Sequence, residues 1–575
     1  MNLPRLRGPH IPFGAQEVKR TPEVRRIAAL PRRVWSDEAA AELARVLTLE
    51  LKTPKGTMTL RPVQAIALYE VMEMGGLFGP MRVGAGKTLF TLLSALVLEA
   101  ARPVLLLPKS LLEKTRDDRK TLVEHWRLPT NLQFLSYEML GLVQNADRLN
   151  YIRPDLIIAD ECHFLKNPRA GRTRRVKRYM HDHPETKFVG VSGTVMKASI
   201  KDFAPLLRWA LKDRTPVPAT EDEVGSWADA LDEKVNPLAR RRPDALLDLG
   251  PRVPANDKLS SARRVFQARL LETKGVVASS RTDGVTCSLR VSALEYKPSV
   301  ITETHVGNLR RTWRTPDGWS FSQALELRRH IRSLALGFHA IWDPRPPAEW
   351  LLARRAWASF ARETLSNSRT IDTELQVANS VDAGDVDDSE ETLAGWRAVR
   401  DTFTIQPKPV WHDDTALTAC ATWMEREKGI VWCEHVFFAK RLSEITGSAY
   451  YGAEGRNANG QSIMHVKPGR AIIASIDACR QGFNLQDRYS KNLITSCPPG
   501  PATNEQLIGR THRDGQEADE VVVDILLGCG AHHESFTRAM DGARAAADTL
   551  GHDQKLLLAT VAMPSIVGRR GPLWT

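Results

Sequence analysis

No run of about 18 apolar residues occurs anywhere in the 575-residue chain, so no membrane-spanning helix is expected. The opening stretch MNLPRLRGPHIPFG has charge and proline but no apolar core, which argues against a secretory signal. Cysteine is sparse and unpatterned. The seven residues Cys162, Cys287, Cys420, Cys433, Cys479, Cys497 and Cys529 include no C-x-x-C pair, and an odd number suits free thiols in a reducing, cytoplasmic setting. Cys529, His532 and His533 lie together but lack zinc-module spacing, and a loop is the expectation there. An acidic excess is also missing. The formal net charge is +12, which favours a polyanionic partner with nucleic acid first. No nuclease constellation and no strand-separating pin is recognisable.

What is present centres on Met81–Thr88, MRVGAGKT, between an apolar run (Gly76–Gly79) and a helix-like segment, Leu89–Ala100. Strand, glycine-rich turn and helix is the arrangement that grips nucleotide phosphates. Gly84, Ala85 and Gly86 bring backbone N–H groups to the phosphates, Lys87 reaches toward the β and γ positions, and the Thr88 hydroxyl is a ligand for Mg²⁺. The full pattern has a glycine six residues before the lysine; here that position is Met81. Upstream, Arg61-Pro62-Val63-Gln64 opens another helix, and the Gln64 amide can give adenine both a donor and an acceptor.

Further strands are expected at Pro103–Pro108, Asn131–Ser136, Asp155–Asp160 and Lys187–Ser192, alternating with helical segments as in a parallel sheet whose ligands bind at the carboxyl ends. Asp160-Glu161-Cys162-His163 closes one such strand: Asp160 to hold Mg²⁺, Glu161 to orient or deprotonate the attacking water. Ser192-Gly193-Thr194 closes the next, a small polar turn suited to coupling sites. The arginine-rich run Arg169–Arg178 is read as phosphate-contacting rather than as a solvated helix face. From 197 to 412 helical patterns dominate, with proline breaks at 215–218, 251–254 and 344–347. Trp350, Trp357 and Phe360 recur at helical spacing, which favours a packed core over a base-stacking surface. Ser380–Glu391 reads as an acidic, mobile loop.

A second α/β unit follows, with strands at Gly429–Cys433, Arg470–Ser475, Lys491–Ser496 and Glu520–Leu527. Gln506-x-x-Gly509-Arg510-x-His512-Arg513-x-Gly515-Gln516 is its most specific stretch. On a helix, Gln506, Arg510 and Arg513 would share one face, with both guanidiniums aimed at a triphosphate held by the other unit. His532–Leu550 reads as an amphipathic helix.

Taken together, R-P-x-Q, GAGKT, PKSLL, Ser136-Tyr137-Glu138, DECHFLKN (160–167), SGT (192–194) and Q-x-x-G-R-x-H-R-x-G-Q resemble, in order, the superfamily 2 helicase-like ATPases. The form of the third-last and last of these is similar to the Swi/Snf branch. Cys162 and Met81-Arg82 depart from that branch's usual residues. The resemblance covers roughly 58–195 and 413–527. It implies an α/β architecture of two RecA-like parallel-sheet lobes with a helical insert between them. The expected division is a basic extension (1–57), lobe 1 (58–196), the insert (197–412), lobe 2 (413–550) and a tail (551–575). It further implies ATP and Mg²⁺ as cofactors, with Gln506 joining the nucleotide site. Duplex DNA would be the favoured partner, touched by Ser110, Asn167, Ser475 and Asn484, with His163, Ser192, Gly193, Thr194 and Gly482 as coupling residues. A monomer on DNA is expected, with a protein partner possible through the insert. The expectation is a DNA-stimulated translocase. A strand-separating helicase, an ATP-switched binding module and the motor subunit of a restriction or repair complex stay open beside it.

Overall fold

The computed structural model describes residues 16–82, 84–193, 199–232, 235–251, 257–279, 285, 287–321, 323–479, 482–550 and 554–562. Five parallel strands build the first lobe: β1 (Leu77–Pro80), β2 (Pro103–Leu107), β3 (Gln133–Ser136), β4 (Leu156–Asp160) and β5 (Lys187–Ser192), in the order β1-β5-β4-β2-β3. They read as continuous apolar runs because both faces are covered. With a side-chain period of two, Phe78, Val104, Leu106, Ile157 and Phe188 enter one core, while Leu77, Leu105, Leu107, Ile158 and Val189 enter the other. β4 and β1 both flank β5, and their ends are level: Pro80 lies opposite Ser192, and Asp160 opposite Val191. The residues that leave these three strands therefore emerge side by side.

The second lobe is a seven-stranded parallel sheet. In chain order its members are β6 (Ser288–Glu295), then, after a separate antiparallel pair β7 (Phe338–Trp342) and β8 (Pro407–Trp411), β9 (Ile430–Cys433), β10 (Tyr450–Tyr451), β11 (Ile472–Ser475), β12 (Lys491–Ile494), β13 (Glu520–Leu527) and β14 (Thr560–Ala562). The order is β10-β11-β9-β12-β13-β6-β14. It too separates two cores, with Ile430, Trp432, Val521 and Val523 on one face and Val431, Cys433, Leu493 and Leu526 on the other. The chain is thus α/β, with two parallel-sheet lobes. Among the described residues no helix is long and apolar enough to cross a membrane.

The segment boundaries differ from those expected. β6 falls in the middle of 197–412 yet pairs with β13 along its whole length, from Ser288–Glu520 to Glu295–Leu527. Ile200, Phe203, Leu207, Phe266 and Leu270 belong to a lobe 1 core, and the backbone of Val277 donates to Phe78. That leaves 300–411 as the intervening stretch, and even there Leu336 and Phe338 pack into a lobe 2 core. At the ends, Val18, Val24 and Ile27 also enter the lobe 1 core, and β14 pairs with β6, so neither end segment is a mere appendage. Strands β6, β10 and β14 are half-exposed or only two to three residues long, so their sequences carry little periodicity.

Within the insert, Trp350 and Trp357 are buried, as their spacing suggested. Ser380–Glu391 begins in the last turn of the Glu374–Asp382 helix and continues as a turn that caps the next helix. Asp388 accepts from the backbone N–H groups of Thr392 (3.0 Å) and Leu393 (2.9 Å), the start of the Thr392–Arg400 helix. The arginine-rich run also departs from expectation. On the Gly171–Asp182 helix, Arg175 and Arg178 donate to Asp372 of the insert at 3.2 and 2.8 Å, and Arg174 ion-pairs with it at 3.5 Å. Arg174 also donates to the carbonyls of Leu365 and Ser368. Of the run's arginines, Arg169 is exposed. The run anchors the insert to lobe 1 through a carboxylate whose side chain is 0% exposed.

Removing that carboxylate leaves the buried Arg175 guanidinium and the half-buried Arg174 and Arg178 without their shared ion-pair partner. Asp372→Ala should lower stability by roughly 3 to 5 kcal/mol. A urea-unfolding shift below about 1 kcal/mol would show that the cluster is not a structural anchor.

Candidate active site

The loop after β1 has the backbone that its glycines allow. Gly84 has φ 95° and Gly86 φ 76°, both left-handed. Gly86 caps the Lys87–Val97 helix, and a Cβ on it would lie 2.2 Å from Gln64 Nε2. No other residue type satisfies both demands. Ala85 is buried in the core beneath, and Thr88 is half-buried in the first turn, where the helix N-terminus favours anions. Lys87 Nζ donates to the carbonyls of Arg82 (3.0 Å) and Met81 (3.3 Å). Met81, in place of the usual glycine, is fully buried and supplies the loop's base.

The Gln64 side chain is hydrogen-bonded to backbone at both ends of its amide. Its Oε1 accepts from Arg61 N (2.8 Å) and its Nε2 donates to Gly86 O (2.9 Å). The amide expected to read adenine thus also braces the glycine-rich loop.

Asp160 and Glu161 stand at the end of β4, beside that loop. Burial and the Glu161 charge push the Asp160 carboxyl well above its ordinary range, with Lys87 opposing. Burial also acts to raise Glu161, but its hydrogen bond with His163 and the Lys87 ammonium outweigh that and hold it below the usual carboxylate range. Glu161 has φ 52°, a left-handed turn unusual for a side chain of this kind. The turn sends its carboxylate toward β5: Ser192 Oγ donates to Oε2 at 2.7 Å, and His163 Nδ1 lies 2.9 Å from the same hydroxyl and 3.2 Å from Oε2. Glu161, His163 and Ser192 form one polar cluster linking two strand ends, next to the buried Gly193. Thr194 lies outside the described residues.

Lobe 2 closes the other side. The Pro501–Ile508 helix ends at Gly509, so Arg510 and Arg513 sit in the turns after it rather than on a continuing helical face. The buried Gln506 keeps its link to Arg510 through its carbonyl, which accepts from Arg510 Nε at 3.1 Å. Arg510 Nη1 donates to Phe483 O at 2.7 Å. Burial, the like charge of Arg513 and the opposing Glu161 charge leave Arg510 at about 10. Arg513 donates to Asn484, and its buried Nε has no hydrogen-bond partner among the described residues. The lobes meet where Arg61 Nη1 donates to Gly84 O (2.7 Å) and Nη2 pairs with Asp514 (2.6 Å). They meet again where Gly482 (φ 84°) approaches Ser110 and Leu111, so a Cβ there would lie 3.3 Å from Leu111.

The four expected nucleic-acid residues are not equivalent. Ser110 and Asn167 are exposed and Ser475 is half-buried at the end of β11. Asn484 instead accepts from Arg513 inside the cleft. Sequence reasoning passed over Arg61, although it opens the R-P-x-Q stretch. It also passed over Lys555, a buried lysine whose Nζ lies 3.2 Å from His512 Nδ1 and whose backbone N–H donates to Glu505. A single lysine before Leu556 gives no pattern to find. Compared with protein-family models and with curated proteins, the chain has no match.

The donor set fits a nucleoside triphosphate with a divalent cation. Two adjacent buried carboxylates, a hydroxyl at a helix start and an unpartnered guanidinium nitrogen are complementary to Mg²⁺ and phosphate oxygens. Thr88 and Asp160 would hold the cation, which supplies charge neutralisation between the phosphates.

Proposed function

We propose that the chain is an ATP hydrolase of the helicase-like superfamily 2, similar to its Swi/Snf branch, that couples turnover to movement on duplex DNA. The observation that carries this reading is the meeting of Lys87, the Asp160–Glu161 pair, Arg510 and Arg513 at one cleft between two parallel sheets. Lobe 1 grips the phosphates and positions the water; lobe 2 brings cations that can act only when the cleft is closed. Hydrolysis then alters the contact between lobes, and a strand lying across both is moved. Net charge of +12 supports a sequence-independent grip on a phosphate backbone. Glu161 accepts a hydrogen bond from the attacking water, Lys87 and Arg513 neutralise developing charge, and Ser192 with His163 passes the state of the site to the strand ends.

The test is ATP turnover with no nucleic acid, single-stranded DNA, duplex DNA and RNA. Duplex DNA should stimulate most. Lys87→Ala should lose roughly 10²-fold or more in turnover, since its ammonium is the loop charge assigned to the β and γ phosphates, while DNA binding persists. Normal turnover in that variant would remove the site assignment. Preference for single strands or RNA would replace translocation by strand separation.

A further inference from the structure

A second pocket lies far from the cleft, within the insert. It opens between β7, the Thr315–Phe321 turn and the Ala324–Ala335 and Ala348–Asn367 helices, and encloses about 470 Å³. Its floor is aromatic. Trp319 and Trp342 are half-buried, with ring centroids 5.1 Å apart and planes tilted by 53°, so neither indole face is closed by the other. Its rim is cationic. Arg345 pairs with Asp317, which leaves the exposed Arg329, Arg354 and Arg355 against Glu326 alone among the lining residues.

His330 packs against Phe321, ring centroids 4.5 Å apart and planes tilted by 37°, and lines the pocket with a buried Nδ1 that has no hydrogen-bond partner among the described residues. Burial lowers its pKa to about 4, so near neutrality the ring is uncharged and can offer either a donor or an acceptor. Apolar ligands would have no use for the arginines, and a bare anion none for the indoles. A flat heteroaromatic ring joined to a phosphate uses both, and the volume is within the range of small-ligand sites.

We infer that this pocket holds one nucleotide unit, its base against Trp319 and Trp342 and its phosphate on Arg354 and Arg355. The unit can come from an unpaired strand or from a free nucleoside monophosphate. The inference does not rest on the ATP reading, because no cleft residue takes part.

The test is equilibrium binding of labelled dT12 and of dTMP to the full chain without ATP, at several salt concentrations. dTMP lacks the β-phosphate toward which Lys87 reaches, so it reports on this pocket. Trp342→Ala should weaken binding about ten- to hundredfold with an unchanged salt slope, from lost stacking. Arg355→Glu, an exposed change that spares the fold, should weaken binding and flatten the slope of log K against log salt by about 1 or more. Support requires both variants to weaken binding of the same ligand. Loss for dT12 alone assigns an unpaired strand, and loss for dTMP assigns a free nucleotide. Wild-type affinity in either variant, or no binding by the unaltered chain, overturns the pocket. Turnover without DNA should be unchanged in both variants, which keeps this result separate from any failure of the motor assignment.

Discussion

Arg513→Ala should bind ATP with near-normal affinity and lose roughly 10³- to 10⁵-fold in turnover, the range for a guanidinium that acts only on the transition state. Its position in lobe 2 explains the split. In the proposed function affinity would come from the lobe 1 loop around Gly84–Thr88, whereas Arg513 bonds to Asn484 of lobe 2. Its Nη1 is fixed by Asn484, while Nε is buried without a partner among the described residues. A buried donor of a charged group left in that state costs free energy, and phosphate oxygens arriving on closure would relieve it. Arg510 contrasts with it. Its Nε and Nη1 bind the Gln506 and Phe483 carbonyls, so Arg510→Ala should also lower the melting temperature. Arg513→Lys should restore little, because an ammonium lacks the planar fork. Single-turnover rates and the affinity for a non-hydrolysable analogue decide it. A tenfold or smaller loss of rate, or a loss confined to affinity, removes the finger role.

The core strands were legible because buried parallel strands are short unbroken apolar runs: PVLLL, LIIAD and EVVVDILL need no context. The glycine-rich loop was legible because Gly86 answers to a local geometric demand. What the sequence hid is non-local. β6 is a strand only because β13 runs beside it. Arg175 is an anchor only because Asp372, distant along the chain, lies within 3.2 Å. In sequence, a cationic helix face has the same pattern whether it meets phosphate or a buried carboxylate. Gln64 shows the same limit: its amide can serve adenine or the loop backbone, and only the fold brings Gly86 to 2.9 Å.

Glu161→Gln should retain ATP binding and lose roughly 10²- to 10⁴-fold in turnover, the usual contribution of a positioned general base. The substitution keeps size and shape, and a glutamine oxygen can still accept from Ser192, so the polar cluster at the strand ends should survive. What changes is the charge. His163 and Lys87 hold Glu161 below the ordinary carboxylate range against the effect of burial. A carboxylate held ionised in this way is a weak proton acceptor but a firm hydrogen-bond acceptor. In the proposed reaction it would aim the water and receive its proton late, as the phosphoryl bond breaks. Asp160 is pushed the other way by burial and by Glu161, and a bound cation would favour its ionised form. Under the proposed function the two neighbours would divide the labour: one for metal, one for water. That division makes a further distinction measurable. Asp160→Asn should raise the Mg²⁺ concentration needed for half-maximal turnover, whereas Glu161→Gln should leave that concentration unchanged and lower only the plateau. If Glu161→Gln instead shifted the Mg²⁺ requirement and kept the plateau within tenfold, the assignments of the two carboxylates would have to be exchanged.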